Sequence, residues 1–275
     1  MRLGKLQSKE GIIKSNYSHG RKQPKLPTIF INKSIQNNYM DSYLKHLQRV
    51  QVGESTLSKT SYIEYNFAKF LPTQDDPNYS VLEIGPGFGE FIQVLNHHHI
   101  YNLDIYDNDK TVLKYITKKY NIHHALCAPS IAKVANKLRQ YDLIFILQVF
   151  EHIPKNQYRS FLTTIYNHLK PGGKIIITVP NGGNPLNIVE RYGDLQHENA
   201  FTAFSLQDLT HYYNLKHATN TIQPYKIPPK SLINLFRILA QKLLHLILFI
   251  TYLANGGIYQ TIYHPNISLI ITKNK

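Results

Sequence analysis

Residues 81–91 read VLEIGPGFGEF, an apolar strand that enters a glycine-rich turn with one carboxylate, Glu83, just ahead of it. Glycines at 85, 87 and 89 let the backbone take positive φ and approach a ligand closely, and the following helix presents N–H groups at its N-terminus. Such a turn points to a nucleotide-like ligand. The spacing is G-x-G-x-G. A dinucleotide fingerprint asks for a third small residue at position 90, where helix packs tightly on strand, and this chain has Glu90 there. Glu83 would repel a pyrophosphate but would steer a ligand with a cationic amino-acid part.

Later segments add strands in order. IYNLDI, residues 100–105, reads as a second strand ending in Asp104, roughly 20 residues past the turn, where doubly wound folds place a carboxylate on ribose hydroxyls. Asp107 and Asp109 fall where they would cap a helix starting near Lys110, which leaves Asp104 for the ribose. A third strand near 121–126 leads to Cys127-Ala128-Pro129-Ser130. YDLIFILQVFEHIP, residues 141–154, is a near-continuous apolar run suited to a central parallel strand, with a polar cluster at the carboxyl edge where open α/β sheets bind ligands. LKPGGKIIITVPN, residues 169–181, reads as a helix end, a Pro-Gly-Gly turn and a fifth strand.

Together, E-I-G-P-G-F-G and these later segments resemble the class I S-adenosylmethionine-dependent methyltransferases over about residues 81–181. The resemblance implies S-adenosyl-L-methionine as cofactor, held by Glu83, Gly85, Gly87, Gly89 and Asp104, with Ile105 against the adenine face and Gln148 along the methionine part. Many members carry an acidic residue for the adenine amino group after the third strand. At Ala128 that carboxylate is missing, and a backbone carbonyl or Ser130 would take its place. RYGDLQHENAFTAFSLQDLTHYY, residues 191–213, resembles a segment of the branch that modifies ubiquinone precursors and glycans, through Asp194, His197 and the Phe201-Thr202 pair before a new helix.

The implied fold is α/β, a doubly wound, seven-stranded and mostly parallel sheet of the Rossmann-like methyltransferase type. Strands are expected at 80–85, 100–105, 121–126, 141–147 and 174–180, with a sixth near 217–223 and a last at 267–272 forming an antiparallel edge. Residues 1–71 read as a basic tail and helical N-terminal region, and 72–275 as the cofactor-binding domain with a helical insertion at about 226–257.

Charge is unevenly placed. The chain carries a formal net charge of +14, of which residues 1–33 and 209–275 hold +7 each while the middle balances. Basic ends attract anionic surfaces, with a merely solvated tail as the alternative. The single cysteine, Cys127, excludes an internal disulfide and suits a reducing, cytoplasmic setting. Met1–Lys25 lacks the apolar stretch of a cleavable signal peptide.

Residues 231–253, SLINLFRILAQKLLHLILFITYL, place Asn234, Arg237, Gln241 and His245 on one narrow helical stripe in an otherwise apolar segment. Arg237, Gln241, Lys242 and His245 interrupt it too often for a spanning helix. It reads as a helix lying in a membrane interface, making the protein peripheral there, or as a cover for an apolar substrate pocket. A buried helix or a dimer contact are the alternatives, and the oligomeric state stays open.

Methyl transfer from a sulfonium is an in-line displacement, so the protein aligns the acceptor and excludes water. For a hydroxyl acceptor, His152 and His197 are the candidate bases, with Glu151 orienting either one. His152 could instead fix the loop after the fourth strand. No metal is expected, because the consecutive His97, His98 and His99 cannot all face one ion. The favoured partner is a small-molecule or lipid-linked acceptor. Nucleic acid is less favoured, since QVFEHIP lacks the Asn/Asp-Pro-Pro-aromatic signature of amino-methylating enzymes, and a noncatalytic module is disfavoured by the intact Glu83, glycine turn and Asp104.

Overall fold

The computed structural model describes residues 56–257 and 261–275, so most of the basic tail expected at the N-terminus lies outside the described residues. Seven strands form one sheet: β1 (Val81–Ile84), β2 (Leu103–Asp107), β3 (His124–Cys127), β4 (Tyr141–Leu147), β5 (Leu169–Pro180), β6 (Ala218–Pro224) and β7 (Asn266–Lys273). Their order is β3-β2-β1-β4-β5-β7-β6, with β7 antiparallel to both neighbours and every other pair around β1 and β4 parallel. The expected sheet is present.

Both faces of the sheet are covered, which is why its central strands β1 and β4 are mostly apolar. Side-chain alternation sends Leu82, Ile84, Ile144 and Ile146 into one core and Val81, Leu103, Leu143 and Phe145 into the other. Each such fully buried side chain stabilises the fold by about 1.5–3 kcal/mol. The second core also takes Ile63, Phe67 and Leu71, from or just after helix α1 (Thr56–Phe67), and the Phe67 and Phe145 rings meet edge-on at 5.1 Å. The boundary expected near residue 71 therefore falls within a packed cluster.

Further helices are α2 (Glu90–His97), α3 (Lys110–Lys119), α4 (Tyr158–Asn167), α5 (Ile188–Tyr192), α6 (Ala203–Tyr212) and α7 (Leu232–Ala254). Asp109 caps α3 by accepting from Thr111 N at 2.7 Å, and Thr202 and Ser205 close a reciprocal cap on α6.

β2 starts three residues later than expected. After α2 the chain turns through His99 at φ 55°, and Ile100 N donates to Leu95 O at 2.9 Å, closing the helix end and seating Ile100 in the core. Pairing with β1 begins only at Leu103.

Helix α7 leaves from the end of β6 and returns to β7, at the carboxyl edge of β5. The expected polar stripe is present, but it faces the protein: Asn234, Gln241 and His245, with Ile238, Leu248 and Tyr252, are its least exposed residues. Twelve large apolar side chains of α7 are exposed, among them Phe236 at 71%, Leu239 at 65% and Leu243 at 62%. The helix is thus amphipathic in the inverse sense, with polar groups inward and apolar groups outward. Length and composition alone would let it cross a membrane. Its contacts place it along the body instead: Arg237 donates to Tyr62 OH at 3.2 Å near one end and Tyr252 OH to Gly183 O at 3.2 Å near the other.

Candidate cofactor and acceptor site

The turn after β1 has the backbone that its glycines allow. Gly85, Gly87 and Gly89 have φ of 71°, 50° and 83°. A Cβ at Gly85 would lie 2.3 Å from Val149 Cγ2, so the turn and the segment just after β4 can approach only with glycine there. At Gly87 a Cβ would meet Glu90 Oε2 alone, at 3.8 Å, which leaves an open cradle above the turn. Gly85 N donates to Tyr106 O at 2.9 Å, joining the turn to the end of β2.

Glu83 is 4% exposed and its Oε2 has no hydrogen-bond partner among the described residues. Burial, then the charge of Glu90, holds its carboxyl well above the usual range. An orphaned carboxylate oxygen beneath an open glycine cradle fits a ligand that brings a cationic amino group.

Asp104 requires a correction. It is fully buried in the first half of β2, with Oδ2 accepting from Arg139 Nε and Tyr141 OH at 2.8 Å each, and Oδ1 lying 3.1 Å from His123 Nδ1. Burial opposes its ionisation, but these hydrogen bonds and the Arg139 charge hold its pKa below the usual value. A carboxylate so occupied, about 10 Å along the strand from the carboxyl edge, is not open to a ribose. Ile105 is likewise fully buried in the core and presents no face to an adenine.

The strand-end carboxylate is Asp107, read in the sequence as a helix cap. It closes β2, is 6% exposed, and accepts from Asp109 N at 2.8 Å. Burial, with the Asp109 charge adding to it, pushes its pKa up to about 6. Ala128 lies just past β3 at the same edge, but its carbonyl accepts from Tyr106 OH at 2.9 Å. Gln148 follows β4 with φ 53°, an uncommon conformation for a non-glycine residue, its N–H on Thr178 O at 2.8 Å and its exposed side chain at the carboxyl edge.

Glu151, His152 and His197 do come together. Glu151 is 1% exposed, and both carboxylate oxygens lack a hydrogen-bond partner among the described residues. Its backbone carbonyl accepts from Glu198 N at 3.0 Å and Asn199 N at 3.2 Å, which folds the segment after α5 over the end of β4. That brings His197 Nε2 to 4.0 Å from Glu151 Oε1 and sets the His152 and His197 rings 4.7 Å apart. Burial, then the charges of Asp194 and Glu190, pushes the Glu151 carboxyl up to about 8.

The asparagines after β5 were not singled out in the sequence. Asn181, fully buried, donates through Nδ2 to Ile262 O at 2.8 Å and His264 O at 2.9 Å, while Asn187 Nδ2 reaches Pro265 O at 2.8 Å. They clasp the chain entering β7 to the carboxyl edge. Of the histidine run, exposed His97 and half-buried His98 both approach Glu64, His98 Nε2 at 2.8 Å.

A doubly wound sheet of order β3-β2-β1-β4-β5-β7-β6, with a glycine cradle and an acid at the end of β2, defines an S-adenosylmethionine-dependent methyltransferase. Residues 59–220 match the family described as a methyltransferase domain, and the chain belongs to that family. No curated protein matches it. Among solved structures, a SAM-dependent methyltransferase from Archaeoglobus fulgidus is 17% identical, with a TM-score of 0.60 over 85% of this chain and 100% of that one. The plantazolicin methyltransferase BpumL, solved with SAH, is 17% identical with a TM-score of 0.53 over 84% and 90%. A third, from Clostridium acetobutylicum, is 12% identical with a TM-score of 0.52 over 84% and 97%. These likenesses are of fold.

Proposed function

We propose that this enzyme methylates a hydroxyl of a small-molecule, glycan or lipid-linked acceptor bound at the carboxyl edge, beside Glu151, His152 and His197. The observation that carries the reading is the buried Glu151 carboxylate with two imidazoles around it, two residues beyond the Val149 that packs on Gly85. Two imidazoles and a carboxylate can hold or remove a hydroxyl proton. The donor brings a methyl group on a sulfonium; the oxygen–carbon bond forms as the carbon–sulfur bond breaks, the electron pair stays on sulfur and the hydroxyl proton is released. On this reading Glu83, Gly87 and Asp107 hold the donor, and Gln148 lies along its methionine part.

The exposed apolar face of α7 supports an acceptor met at a membrane surface. No acid occurs in residues 209–275 against seven Lys and Arg, so the surroundings of α7 favour anionic lipid headgroups. The resemblance of residues 191–213 to the ubiquinone-precursor and glycan branch supports the same class of acceptor. Incubation with methyl-labelled donor and separate lipid, glycan and RNA extracts tests it. Label in the lipid or glycan fraction, lost in His197→Ala while SAH still binds, is the expected result; label in RNA alone would overturn the acceptor class.

A further inference from the structure

Among the described residues, three groups bring a carboxylate and two imidazoles within 4.8 Å of one another: Glu64 with His97 and His98, Asp104 with His123 and His124, and Glu151 with His152 and His197. They differ in what the carboxylate already does. Glu64 is half-buried and its Oε1 already contacts His98 Nε2 at 2.8 Å. Asp104 has its oxygens occupied by Arg139, Tyr141 and the neighbouring imidazoles. Glu151 is 1% exposed, and neither oxygen has a hydrogen-bond partner among the described residues. Ionised, a buried carboxylate without a partner costs several kcal/mol unless a positive group meets it, and no Lys or Arg forms an ion pair with this one among the described residues.

The imidazoles are set up to meet that need. His152 Nδ1 lies 3.1 Å from the Gln196 carbonyl oxygen, which can only accept, so Nδ1 donates and Nε2 is the nitrogen a metal ion would take. Fixing one ring nitrogen on a backbone carbonyl is the usual outer support of a metal-binding histidine. His197 turns its Nε2 toward Glu151 Oε1 at 4.0 Å, and its side chain is 10% exposed. Ligand atoms around one ion at bonds of about 2.0–2.2 Å stand roughly 3–4 Å apart, so this set needs a contraction of about an ångström. Asp194 and Glu190 add negative charge nearby.

We propose that Glu151, His152 and His197 bind a divalent cation of the zinc, manganese or cobalt class, leaving coordination positions open to a hydroxyl oxygen of the acceptor. Two imidazoles and one carboxylate suit these ions better than magnesium or calcium, which prefer all-oxygen shells. A coordinated hydroxyl is more acidic, so its proton passes to solvent and the imidazoles act as ligands in place of bases. The role of the cation toward the acceptor rests on the methyl-transfer reading above; binding of the cation does not.

The test uses the full-length protein stripped with chelator and titrated with Co²⁺, read by visible absorption and calorimetry, with SAH binding measured on the same samples. One equivalent should bind. Glu151→Gln and His197→Ala should each weaken binding at least about tenfold, His98→Ala should leave it unchanged, and all should bind SAH as wild type does. Thermal melts identify a variant that fails to fold, and the other then decides. No saturable uptake, uptake indifferent to both substitutions, or uptake lost in His98→Ala would overturn the proposal. Retained SAH binding in those cases would leave the methyltransferase reading standing.

Discussion

Arg139 Nε donates to Asp104 Oδ2 at 2.8 Å, tying the segment before β4 to the interior of β2. The carboxylate is fully buried while the Arg139 side chain is 31% exposed, so the pair acts mainly to satisfy a charge that cannot leave the core. Arg139→Ala should lower stability by about 2–4 kcal/mol, because the buried carboxylate loses its counter-charge. Urea unfolding at neutral pH measures this. The Asp104 pKa is held below its ordinary value of 3.8, so its contribution is fully present above that value and disappears as pH falls through the folded-state pKa. The wild-type advantage over Arg139→Ala should therefore shrink in acid, below about pH 4.

Asp104 and Asp107 should separate stability from cofactor binding. Asp104→Asn should lower the melting temperature and leave SAH affinity nearly intact. Asp107→Asn should do the reverse, weakening SAH at least about tenfold if the carboxylate holds the ribose with a charge-assisted hydrogen bond. Because burial raises the Asp107 pKa to about 6, the ionised form is present above pH 6 and is lost below it. The Asp107 contribution to SAH affinity should fall about tenfold per pH unit below 6; Asp107→Asn should lack it, and any slope it keeps belongs to Glu83, whose pKa burial also raises. Calorimetry across pH 5–8 distinguishes the two profiles.

The cradle can be closed without touching the core. A Cβ at Gly87 meets only Glu90 Oε2 at 3.8 Å, so Gly87→Val should fold, with a backbone cost of about 1–2 kcal/mol for its positive φ, yet project two methyls into the cofactor volume. SAH binding should be lost while the cooperative melt remains. Unchanged binding would place the cofactor elsewhere.

The contrast between these positions shows what was legible in the chain. The turn at 85–89, the apolar run of β4 and the Asp109 cap are local patterns, and each reappears in the structure with its boundaries nearly unchanged. The start of β2 is set instead by Ile100 closing the end of α2, a tertiary event, and the three-residue shift moves the strand-end acid from Asp104 to Asp107. Nothing near Asp104 in sequence announces Arg139, 35 residues away. The period of α7 likewise marked a polar stripe but not its direction. That depended on Tyr62, Gly183 and the segment around His264, which receive Arg237, Tyr252 and His245.

The direction of that stripe carries the last prediction. His245 and His264 meet edge-on at 4.7 Å on the inner face, where burial lowers both imidazole pKa values, that of His264 to about 4, so this seam stays neutral near pH 7. The outer face holds Leu243, Ile247 and Ile250 at 62%, 53% and 55% exposure. Replacing these three with Ser removes little packing within the protein, so the melting temperature and SAH affinity should hold. On vesicles containing anionic lipid, wild type should bind, weaken as salt screens its Lys and Arg, and retain a salt-resistant fraction from the apolar face. The triple variant should lose roughly 1 kcal/mol per residue, or about a hundredfold in partitioning, measured by vesicle sedimentation. If wild type ignores vesicles at low salt and the same substitutions dissociate a dimer in sedimentation velocity, the outer face belongs to a second copy of the chain and the membrane reading falls.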